Sequence, residues 1–286
     1  MRLANFDGRA TLVTDRGLID VAQASRDRFS SHVDALVGDM KALVDWLGDD
    51  QPAITDPTTA RELQRDRRLG PVITRPGQVF CIGLNYRSHS LEMSMPLPSE
   101  PMVFTKFASA LAGANADFPI PSARIDWEAE LVVVFGKKGR RISVENALSH
   151  VAGYCVGNDL SDRVLQMRGS QAQFSLGKSY ENFAPIGPWL TSADEVPSPD
   201  ELAISCAVNG RQYQHCVTGD MVFSVAELVS YISGVCEIRP GDIMFTGSPP
   251  GVGQAHRPPI FLGIGDVVET SIEGLGSMRN VAVASS

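Results

Sequence analysis

The chain has 286 residues, 43% hydrophobic and 20% charged, which is typical of a globular protein with one large domain or a main domain plus a small one. Its formal net charge of −8 argues against nucleic acid or an anionic membrane surface as a partner, so a local charge or a metal would have to attract any anionic substrate. The chain shows no signal-peptide core and no apolar run near the roughly 20 residues of a membrane helix, so we expect a cytoplasmic protein. Its five cysteines include no CxxC pair, and we expect reduced, mostly buried thiols.

The N-terminal segment is predicted to contain strands and one helix. Residues 1–24 have the pattern of short strands joined by turns. Apolar residues recur at three- and four-residue steps over residues 30–47, which predicts a helix that ends at Gly48. Residues 49–70 are rich in Asp, Arg, Pro and Thr and are predicted to form a linker. The segment is too small to bury much core alone, so we expect it to pack against the rest of the chain.

We therefore divide the chain into a small N-terminal α/β domain with its linker, residues 1–70, and a β-rich domain, residues 71–286. In the second part, short apolar runs separated by Gly, Pro and Asn predict strands. These runs cover residues 78–84, 101–104, 130–135, 151–157, 203–208, 242–246 and 266–272. Helical patterns are few, the clearest lying at residues 144–149 and 224–233. We therefore predict an α+β protein that is mainly β, without regular alternation of strand and helix.

Residues 82–93 follow the first of these strands. Gly83 and Asn85 favour a sharp exit from the strand, and His89 and Glu92 lie three residues apart. One helical turn would place these two side chains on the same face, where a carboxylate orients an imidazole as a general base requires. A surface helix with an incidental pair would have the same spacing.

Residues 126–130 (DWEAE) lead into an aliphatic and aromatic run that predicts a buried strand. Because side chains alternate in a strand, Asp126, Glu128 and Glu130 would share one face, with the Cα atoms of the two glutamates about 7 Å apart. Crowded carboxylates at the mouth of a hydrophobic strand repel one another, and a divalent cation with oxygen ligands is the simplest compensation. A solvated strand end is the alternative interpretation.

Further polar residues follow the predicted strand at residues 151–157. Asp159 could be a ligand held by a rigid scaffold or the cap of the next helix. Arg163 and Gln166 lie one helical turn apart, and both can donate hydrogen bonds to an oxyanion. Lys178 lies in a loop beside an aromatic residue, where an isolated lysine is usually solvated.

Residues 240–253 are predicted to form a strand and a glycine- and proline-rich loop. Backbone amides and the hydroxyls of Thr246 and Ser248 could hold a carboxylate. The loop lacks the Gly-Lys-Ser/Thr spacing of a phosphate loop, and a structural turn is the alternative. The alternating pattern of residues 265–276 predicts a hairpin that closes the sheet.

Taken together, these segments resemble the fumarylacetoacetate hydrolase superfamily, in its short branch with one catalytic domain. The resemblance runs from about Pro71 to Asn280 and includes five blocks in the same order. The blocks are Gly83 to Tyr86 with His89 and Glu92, Asp126 to Leu131, Gly153-Tyr154 with Asn158-Asp159, Gly177 to Ser179 with Pro185 to Pro188, and Pro240 to Ile243 with Thr246 to Pro249 and Ile272 to Gly276.

The resemblance implies a mixed β-sandwich roll, a homodimer, and Mg²⁺ or Mn²⁺ as the cofactor. By position, the metal ligands would be Glu128, Glu130 and Asp159, because three carboxylates suit a hard octahedral ion. The catalytic residues would be His89, Glu92 and Lys178. The first two would form a lid pair that orders over bound substrate. The substrate-binding residues would be Tyr86, Arg163, Gln166, Thr246 and Ser248.

Our main hypothesis is a metal-dependent hydrolase that cleaves a C–C bond in a 2,4-diketo acid, an acylpyruvate-type substrate, through a metal-stabilised enolate. His89, oriented by Glu92, would take a proton from the attacking water. Lys178, Gln166 and Arg163 would stabilise the oxyanion. An oxaloacetate-type decarboxylase and a 2-oxo-dienoate isomerase or hydratase are alternatives on the same site. A non-catalytic member of the fold is a third hypothesis, and the complete set of site residues argues against it.

The sequence leaves the distal part of the substrate open. Met93, Met95, Met167 and residues 169–174 are predicted to line a pocket that is atypical of the family. The small-molecule keto acid therefore remains defined only at its pyruvate end.

Overall fold

The computed structural model describes residues 1–285. Its strands are β1 Arg2–Phe6, β2 Arg9–Thr14, β3 Gly17–Asp20, β4 Val79–Gly83, β5 Met102–Thr105, β6 Leu111–Ala112, β7 Phe118–Ile120, β8 Ile125–Asp126, β9 Ala129–Phe135, β10 Val151–Asn158, β11 Ser161–Asp162, β12 Ala184–Ser192, β13 Ala203–Val208, β14 Arg211–Val217, β15 Ile243–Phe245, β16 Val267–Ile272 and β17 Gly276–Ala284. Its α-helices are α1 Val21–Ser25, α2 Met40–Asp50, α3 Ala60–Leu63, α4 Arg87–Glu92, α5 Val144–Ala147, α6 Arg163–Gln166, α7 Phe174–Gly177 and α8 Val225–Val235. The strands outnumber the helices, as the sequence predicts.

The main sheet has the strand order β3-β2-β1-β12-β10-β9-β15-β4-β5, with β6 paired to β12. At its centre β9, β10 and β12 are buried along their whole length. β9 pairs antiparallel with both β10 and β15, and β15 pairs parallel with β4. Burial on both faces explains why the sequence of β9 is a continuous apolar run rather than an alternating one.

A second sheet, of order β14-β13-β16-β17-β7, packs against the main sheet. In β13 and β16, buried residues alternate with more exposed ones, as expected for strands with one face toward the core. The two sheets and the short helices form the β-rich α+β fold that the sequence predicts, and β16 and β17 form the predicted closing hairpin. The interface between the sheets therefore forms the hydrophobic core.

The N-terminal strands extend the main sheet. Arg2 and Leu3 of β1 pair antiparallel with Thr191 and Leu190 of β12. The first segment therefore packs on the rest of the chain through backbone hydrogen bonds as well as side chains. One sheet contains strands from both sides of the predicted boundary near residue 70. The sheet therefore does not separate the two parts, and the boundary stays a prediction.

The predicted helix over residues 30–47 begins later than expected. The chain first forms two short 3-10 turns, Val33–Ala35 and Val37–Asp39, before α2 begins at Met40. Three-residue spacing of apolar side chains suits a 3-10 turn as well as an α-helix, so the pattern could not distinguish them. Gly48 does not end α2, which continues to Asp50 and stops where the backbone becomes left-handed.

The predicted linker is partly ordered. Thr59 and Glu62 form a reciprocal capping box at the start of α3, and Leu63 and Leu69 are buried. Among the described residues, none of the helices combines the length and apolar character needed to cross a membrane.

Candidate metal centre and substrate pocket

Three carboxylates meet where β9 begins and β10 ends. Glu130 lies on β9, Glu128 lies just before it, and Asp159 directly follows β10. One oxygen atom from each lies within 4.8 Å of the others. The backbone N–H of Asp159 donates to the carbonyl oxygen of Glu128 at 2.8 Å, which holds the two segments together. An all-oxygen set of this kind fits a hard divalent cation such as Mg²⁺ or Mn²⁺.

Asp126 does not belong to this group of three carboxylates, and the expectation that it shares a face with Glu128 and Glu130 stays a prediction. β8 ends at Asp126 and β9 begins at Ala129. The Asp126 carboxylate instead accepts backbone N–H groups from Gly253 at 2.6 Å and Gln254 at 3.1 Å. It also pairs with the guanidinium of Arg163 at 2.8 Å. Asp126 therefore positions a loop and an arginine.

Two of the predicted cationic residues contact the acids directly. Nζ of Lys178 lies 3.0 Å from Oε2 of Glu128 and 2.6 Å from Oδ2 of Asp159, so this lysine is buried rather than solvated. Nη2 of Arg163 lies 2.5 Å from Oε1 of Glu128, and its Nη1 donates to Oε1 of Gln166 at 2.9 Å. The single turn of α6 thus brings Arg163 and Gln166 together, as their spacing predicts.

Lys106 is a site residue that sequence reasoning missed. It follows β5, its side chain is fully buried, and its Nζ pairs with Oδ1 of Asp159 at 2.5 Å. It also donates to the carbonyl oxygen of Leu160 at 3.3 Å. The available signal was a lysine between Phe104 and Phe107 directly after an apolar strand, a setting in which a charge needs a partner.

The pKa values of Glu128 and Glu130 are shifted in opposite directions although the two carboxylates are close together. Burial opposes ionisation of Glu128, but the positive charges of Lys178 and Arg163 outweigh it and lower its pKa to about 2. Burial, together with the negative charges of Asp159 and Glu128, raises the pKa of Glu130 well above its usual range. Without a further positive charge, one acid of the cluster therefore favours its protonated form, and a divalent cation would supply that charge.

The predicted lid pair is present on α4. Nδ1 of His89 lies 3.0 Å from Oε2 of Glu92, and Glu92 also accepts the backbone N–H of Gly251 at 3.0 and 3.1 Å. The His89 side chain is only 11% exposed, which argues against an incidental surface pair. Because Nδ1 is engaged by Glu92, Nε2 is the nitrogen left for a substrate or water.

A pocket of about 310 Å³ reaches from His89 on α4 to Glu128 of the acidic cluster. Its polar lining comes from the predicted site residues His89, Glu128, Arg163, Gln166 and Lys178, and from Gln254, which was not predicted. Its remaining wall is rich in methionine and phenylalanine. These residues are Met93, Met95, Met102, Phe104, Met167 and Phe174. Met93, Met95 and Met167 therefore line the pocket as predicted, and Phe174 is the member of residues 169–174 that does so.

Three predicted substrate-binding residues do not line this pocket. The Thr246 hydroxyl donates to the carbonyl oxygen of Leu131 at 2.9 Å, and the Ser248 hydroxyl accepts a hydrogen bond from Gln214 at 2.9 Å. Tyr86 is fully buried beside the start of α4. The hydroxyls of Thr246 and Ser248 are therefore engaged within the protein, whereas the Tyr86 hydroxyl is buried without a hydrogen-bond partner among the described residues.

The loop after β15 nevertheless contributes to the acidic cluster. The backbone N–H of Gly247 donates to Oε2 of Glu130 at 2.6 Å. Gly247 has a φ of +102°, a conformation that L side chains rarely adopt. The loop amides therefore bind one of the protein's own carboxylates, where the sequence suggested a substrate carboxylate.

The chain is similar to proteins of one known family. The sequence profile of the fumarylacetoacetate (FAA) hydrolase C-terminal family matches residues 78–283. A mitochondrial oxaloacetate tautomerase of Bos taurus is 46% identical over 217 residues, covering 75% of this chain and 69% of that protein.

Two solved structures are similar over the whole of both chains. One, from Mycobacterium smegmatis and provisionally described as an HpcE protein, has 41% identity and a TM-score of 0.91. The other is a maleylpyruvate hydrolase from Sphingobium sp. SYK-6, solved with a manganese(II) ion and pyruvate, with 26% identity and a TM-score of 0.81.

Proposed function

The chain belongs to the fumarylacetoacetate hydrolase superfamily, and on that basis we propose that it is a divalent-metal-dependent enzyme that hydrolyses a C–C bond in an acylpyruvate-type 2,4-diketo acid. The observation that carries this proposal is that His89, paired with Glu92, lines the same pocket as Glu128 of the acidic cluster. Hydrolysis of such a substrate needs a base for water and a site for the 2-oxo acid. Both have candidate groups within one pocket.

Glu128, Glu130 and Asp159 would hold Mg²⁺ or Mn²⁺. The proposal is supported by their oxygen-only donor set, by the raised pKa of Glu130, which buried negative neighbours cause, and by the manganese and pyruvate in the related maleylpyruvate hydrolase. When bound, the cation would act as a Lewis acid and stabilise the negative charge that develops at the 2-oxo acid end of the substrate.

The protein's own groups would then divide the reaction between them. Nε2 of His89 would take a proton from water, and the water oxygen would add to the distal carbonyl carbon. The bond between C3 and C4 would break with its electron pair left on C3, and that carbon would take the proton that His89 had removed from water, to give pyruvate. The acyl group would leave as a carboxylate, so that one water is consumed for each substrate.

Lys178 and Gln166 would stabilise the negative charge that develops. Both line the pocket. The Gln166 side-chain oxygen accepts a hydrogen bond from Arg163, which leaves its amide N–H groups free to donate to an oxyanion. Arg163 is engaged by Asp126, Glu128 and Gln166, so we assign it a positioning role.

A tautomerase or isomerase reaction is the second candidate. The 46% identity to the Bos taurus oxaloacetate tautomerase favours it. Moving a proton at C3 of oxaloacetate requires an acid and a base but no hydrolytic water, so the same pocket could serve. Decarboxylation of oxaloacetate and isomerisation or hydration of 2-oxo-dienoates use the same charge stabilisation and belong to this candidate class.

The deciding experiment measures the products from two substrates. Metal-free protein is supplied with Mg²⁺ or Mn²⁺ and given acetylpyruvate or oxaloacetate, while pyruvate, acetate, carbon dioxide and the enol form of oxaloacetate are measured. Metal-dependent pyruvate and acetate from acetylpyruvate would support the hydrolase. Faster keto–enol exchange, or pyruvate and carbon dioxide, from oxaloacetate alone would replace it with the second candidate.

A homodimer in the cytoplasm completes the proposal, because the family resemblance implies a dimer. Light scattering on the purified protein would give its molar mass in solution. A monomeric mass at working concentration would contradict the dimer.

A further inference from the structure

The helix that carries the lid pair has no capping side chain of its own. α4 has six residues and begins after Tyr86, whose side chain forms no capping hydrogen bond. A helix this short is not stable alone in water, and its first backbone N–H groups need acceptors from outside the helix. The position of His89 therefore depends on contacts that distant parts of the chain make with α4.

Asp220 supplies the missing acceptor. Its Oδ2 accepts the backbone N–H of Ser88 at 3.0 Å and also accepts the Ser88 hydroxyl. Asp220 lies 132 residues later in the chain, at the end of a 3-10 turn, Thr218–Asp220, that follows β14. It therefore does for α4 what a neighbouring Asp or Ser usually does for the start of a helix.

The backbone that follows this turn continues the contact. Met221 forms an antiparallel bridge with Tyr86, and its carbonyl oxygen accepts a hydrogen bond from the guanidinium of Arg87. The backbone N–H of Val222 donates to the carbonyl oxygen of Asn85 at 2.8 Å. These bonds hold the chain as it enters α4, over the three residues that precede Ser88.

His89 lies between two held ends of the helix. Ser88, which Asp220 binds, directly precedes it in the chain. Three residues after His89, Glu92 accepts the backbone N–H of Gly251 at 3.0 and 3.1 Å. Asp220 is not among the residues that line the substrate pocket, so it can act on the reaction only through the lid helix.

We propose that Asp220 is a positioning residue, which keeps the first turn of α4 folded so that His89 stays at the substrate pocket. The inference rests on the proposed function, because that function makes His89 the base. Loss of the Asp220 carboxylate leaves the base in the protein but lets α4 open, so His89 is in place for a smaller fraction of the time. Turnover falls, while the acidic cluster keeps its affinity for a cation.

The first measurement is the local opening of α4. Trypsin cuts after arginine, and the bond between Arg87 and Ser88 becomes a substrate when the first turn of the helix unfolds. Brief digestion of the Mn²⁺-loaded protein, followed by mass spectrometry, gives the rate of that cut. Because the loss of a capping side chain destabilises a helix, Asp220→Ala should raise the rate about two- to thirtyfold.

Turnover of acetylpyruvate is the second measurement. Asp220→Ala should lower kcat by up to the same factor and leave Mn²⁺ affinity unchanged. Asp220→Asn keeps one acceptor oxygen and should restore most of the turnover. Ser88→Ala removes only the hydroxyl and should shift the cut rate and kcat in the same directions by less.

The matched control is Glu62→Ala. The Glu62 carboxylate accepts the backbone N–H and the hydroxyl of Thr59, each at 2.8 Å, at the start of α3. It therefore makes the same two kinds of contact as Asp220, at a helix that carries no site residue. Glu62→Ala should lower the stability of the protein without changing kcat or the cut after Arg87.

The two measurements also separate this proposal from the proposed function. A faster cut in Asp220→Ala, in a protein that hydrolyses no acetylpyruvate, would support the hold on α4 and reject the hydrolase. An unchanged cut, in a protein that hydrolyses acetylpyruvate, would support the hydrolase and overturn the role of Asp220. A faster cut with wild-type kcat, when His89→Gln is inactive, would also overturn that role.

Discussion

Asp159 lies between two buried lysines. Nζ of Lys106 is 2.5 Å from its Oδ1 and Nζ of Lys178 is 2.6 Å from its Oδ2, and the Lys106–Asp159 pair is fully excluded from solvent. One of these lysines faces the substrate pocket, whereas Lys106 does not line it. We therefore expect Lys106 to act on the stability of the site rather than on the substrate.

Replacing Lys106 with methionine should destabilise the protein. Methionine fills a similar volume but leaves the buried Asp159 carboxylate with one partner fewer, which costs about 3 kcal/mol or more in comparable buried pairs. Urea unfolding in the presence of EDTA gives the free energy of unfolding. Lys41→Met, which removes a solvent-exposed pair with Asp45, serves as the control and should leave the midpoint unchanged. Equal midpoints for both variants would contradict this role.

Replacing His89 with glutamine should abolish most hydrolysis and spare metal binding. Removal of a general base typically lowers kcat by about 10²–10⁴-fold. Glu92→Gln should give a smaller loss of the same kind, since it orients the imidazole and does not touch the water. Turnover of acetylpyruvate and Mn²⁺ affinity are both measured, with the exposed His32 replaced as the control. Wild-type turnover in His89→Gln would remove the base assignment.

The metal-free protein should lose stability as the pH rises. Burial and the neighbouring acids raise the pKa of Glu130, so the folded state holds a proton that the unfolded state has released. Stability from that proton is present at low pH and is lost as the pH rises through the raised pKa. A bound divalent cation replaces the proton, so the fall should be smaller with Mn²⁺.

This pH dependence is measured as Tm from about pH 5 to about pH 8, a range above the ordinary glutamate pKa. As the pH rises, Tm should fall more steeply in EDTA than in Mn²⁺. In Glu130→Gln the EDTA series should be flatter, because the titrating group is gone. Parallel series for the wild type in EDTA and Mn²⁺ would contradict the prediction.

The buried thiols should be unreactive in the folded protein. Burial raises the pKa of Cys155 and raises that of Cys206 to about 12, so neither forms thiolate at neutral pH. At about pH 8, below the ordinary thiol pKa, an aromatic disulfide reagent should modify only the partly exposed Cys216 and Cys236. All five cysteines should react in urea. Rapid modification of a third cysteine in the folded protein would contradict the prediction and indicate a reactive cysteine.

Replacing Gly247 with alanine should weaken both the fold and the metal site. A Cβ there would lie 2.7 Å from Cβ of Asn85, in a backbone conformation that costs an L residue about 1–2 kcal/mol. Gly8 also has a positive φ, but its Cβ would meet nothing within 4 Å. Gly8→Ala therefore measures the backbone cost alone. Only Gly247→Ala should also lower Mn²⁺ affinity. The backbone must shift to make room for the new Cβ, and that shift would move the N–H that donates to Glu130.

Local sequence patterns predicted the elements that position the site. The apolar runs became β9, β10 and β15, and spacing within one turn correctly paired His89 with Glu92 and Arg163 with Gln166. These relations are decided by residues near one another in the chain, where the periodicity of strand or helix limits the geometry.

Relations between distant segments could not be predicted in this way. The loop partners of Asp126 could not be predicted, because the amides of Gly253 and Gln254 lie more than a hundred residues later in the chain. The position of Lys106 after an apolar strand indicated a buried charge but not its partner, because the partner carboxylate, Asp159, lies 53 residues later in the chain. The hydroxyls of the loop after β15 were assigned to the substrate, since no local pattern shows which way that loop turns.

The loop held by Glu92 and Asp126 separates two parts of the site that can change independently. The backbone N–H of Gly251 donates to Glu92, and that of Gly253 donates to Asp126. Four residues that follow these glycines in the chain line an outer chamber beside the substrate pocket, namely Gln254, Arg257, Pro259 and Phe261; its other lining residues are Met93, Arg124, Arg163 and Met167. Substitutions beyond the fixed glycines would alter the chamber and leave the acids, lysines and lid pair in place. Descendants of one ancestral enzyme could therefore acquire new substrates by changing a short, solvent-facing stretch while inheriting their chemistry intact.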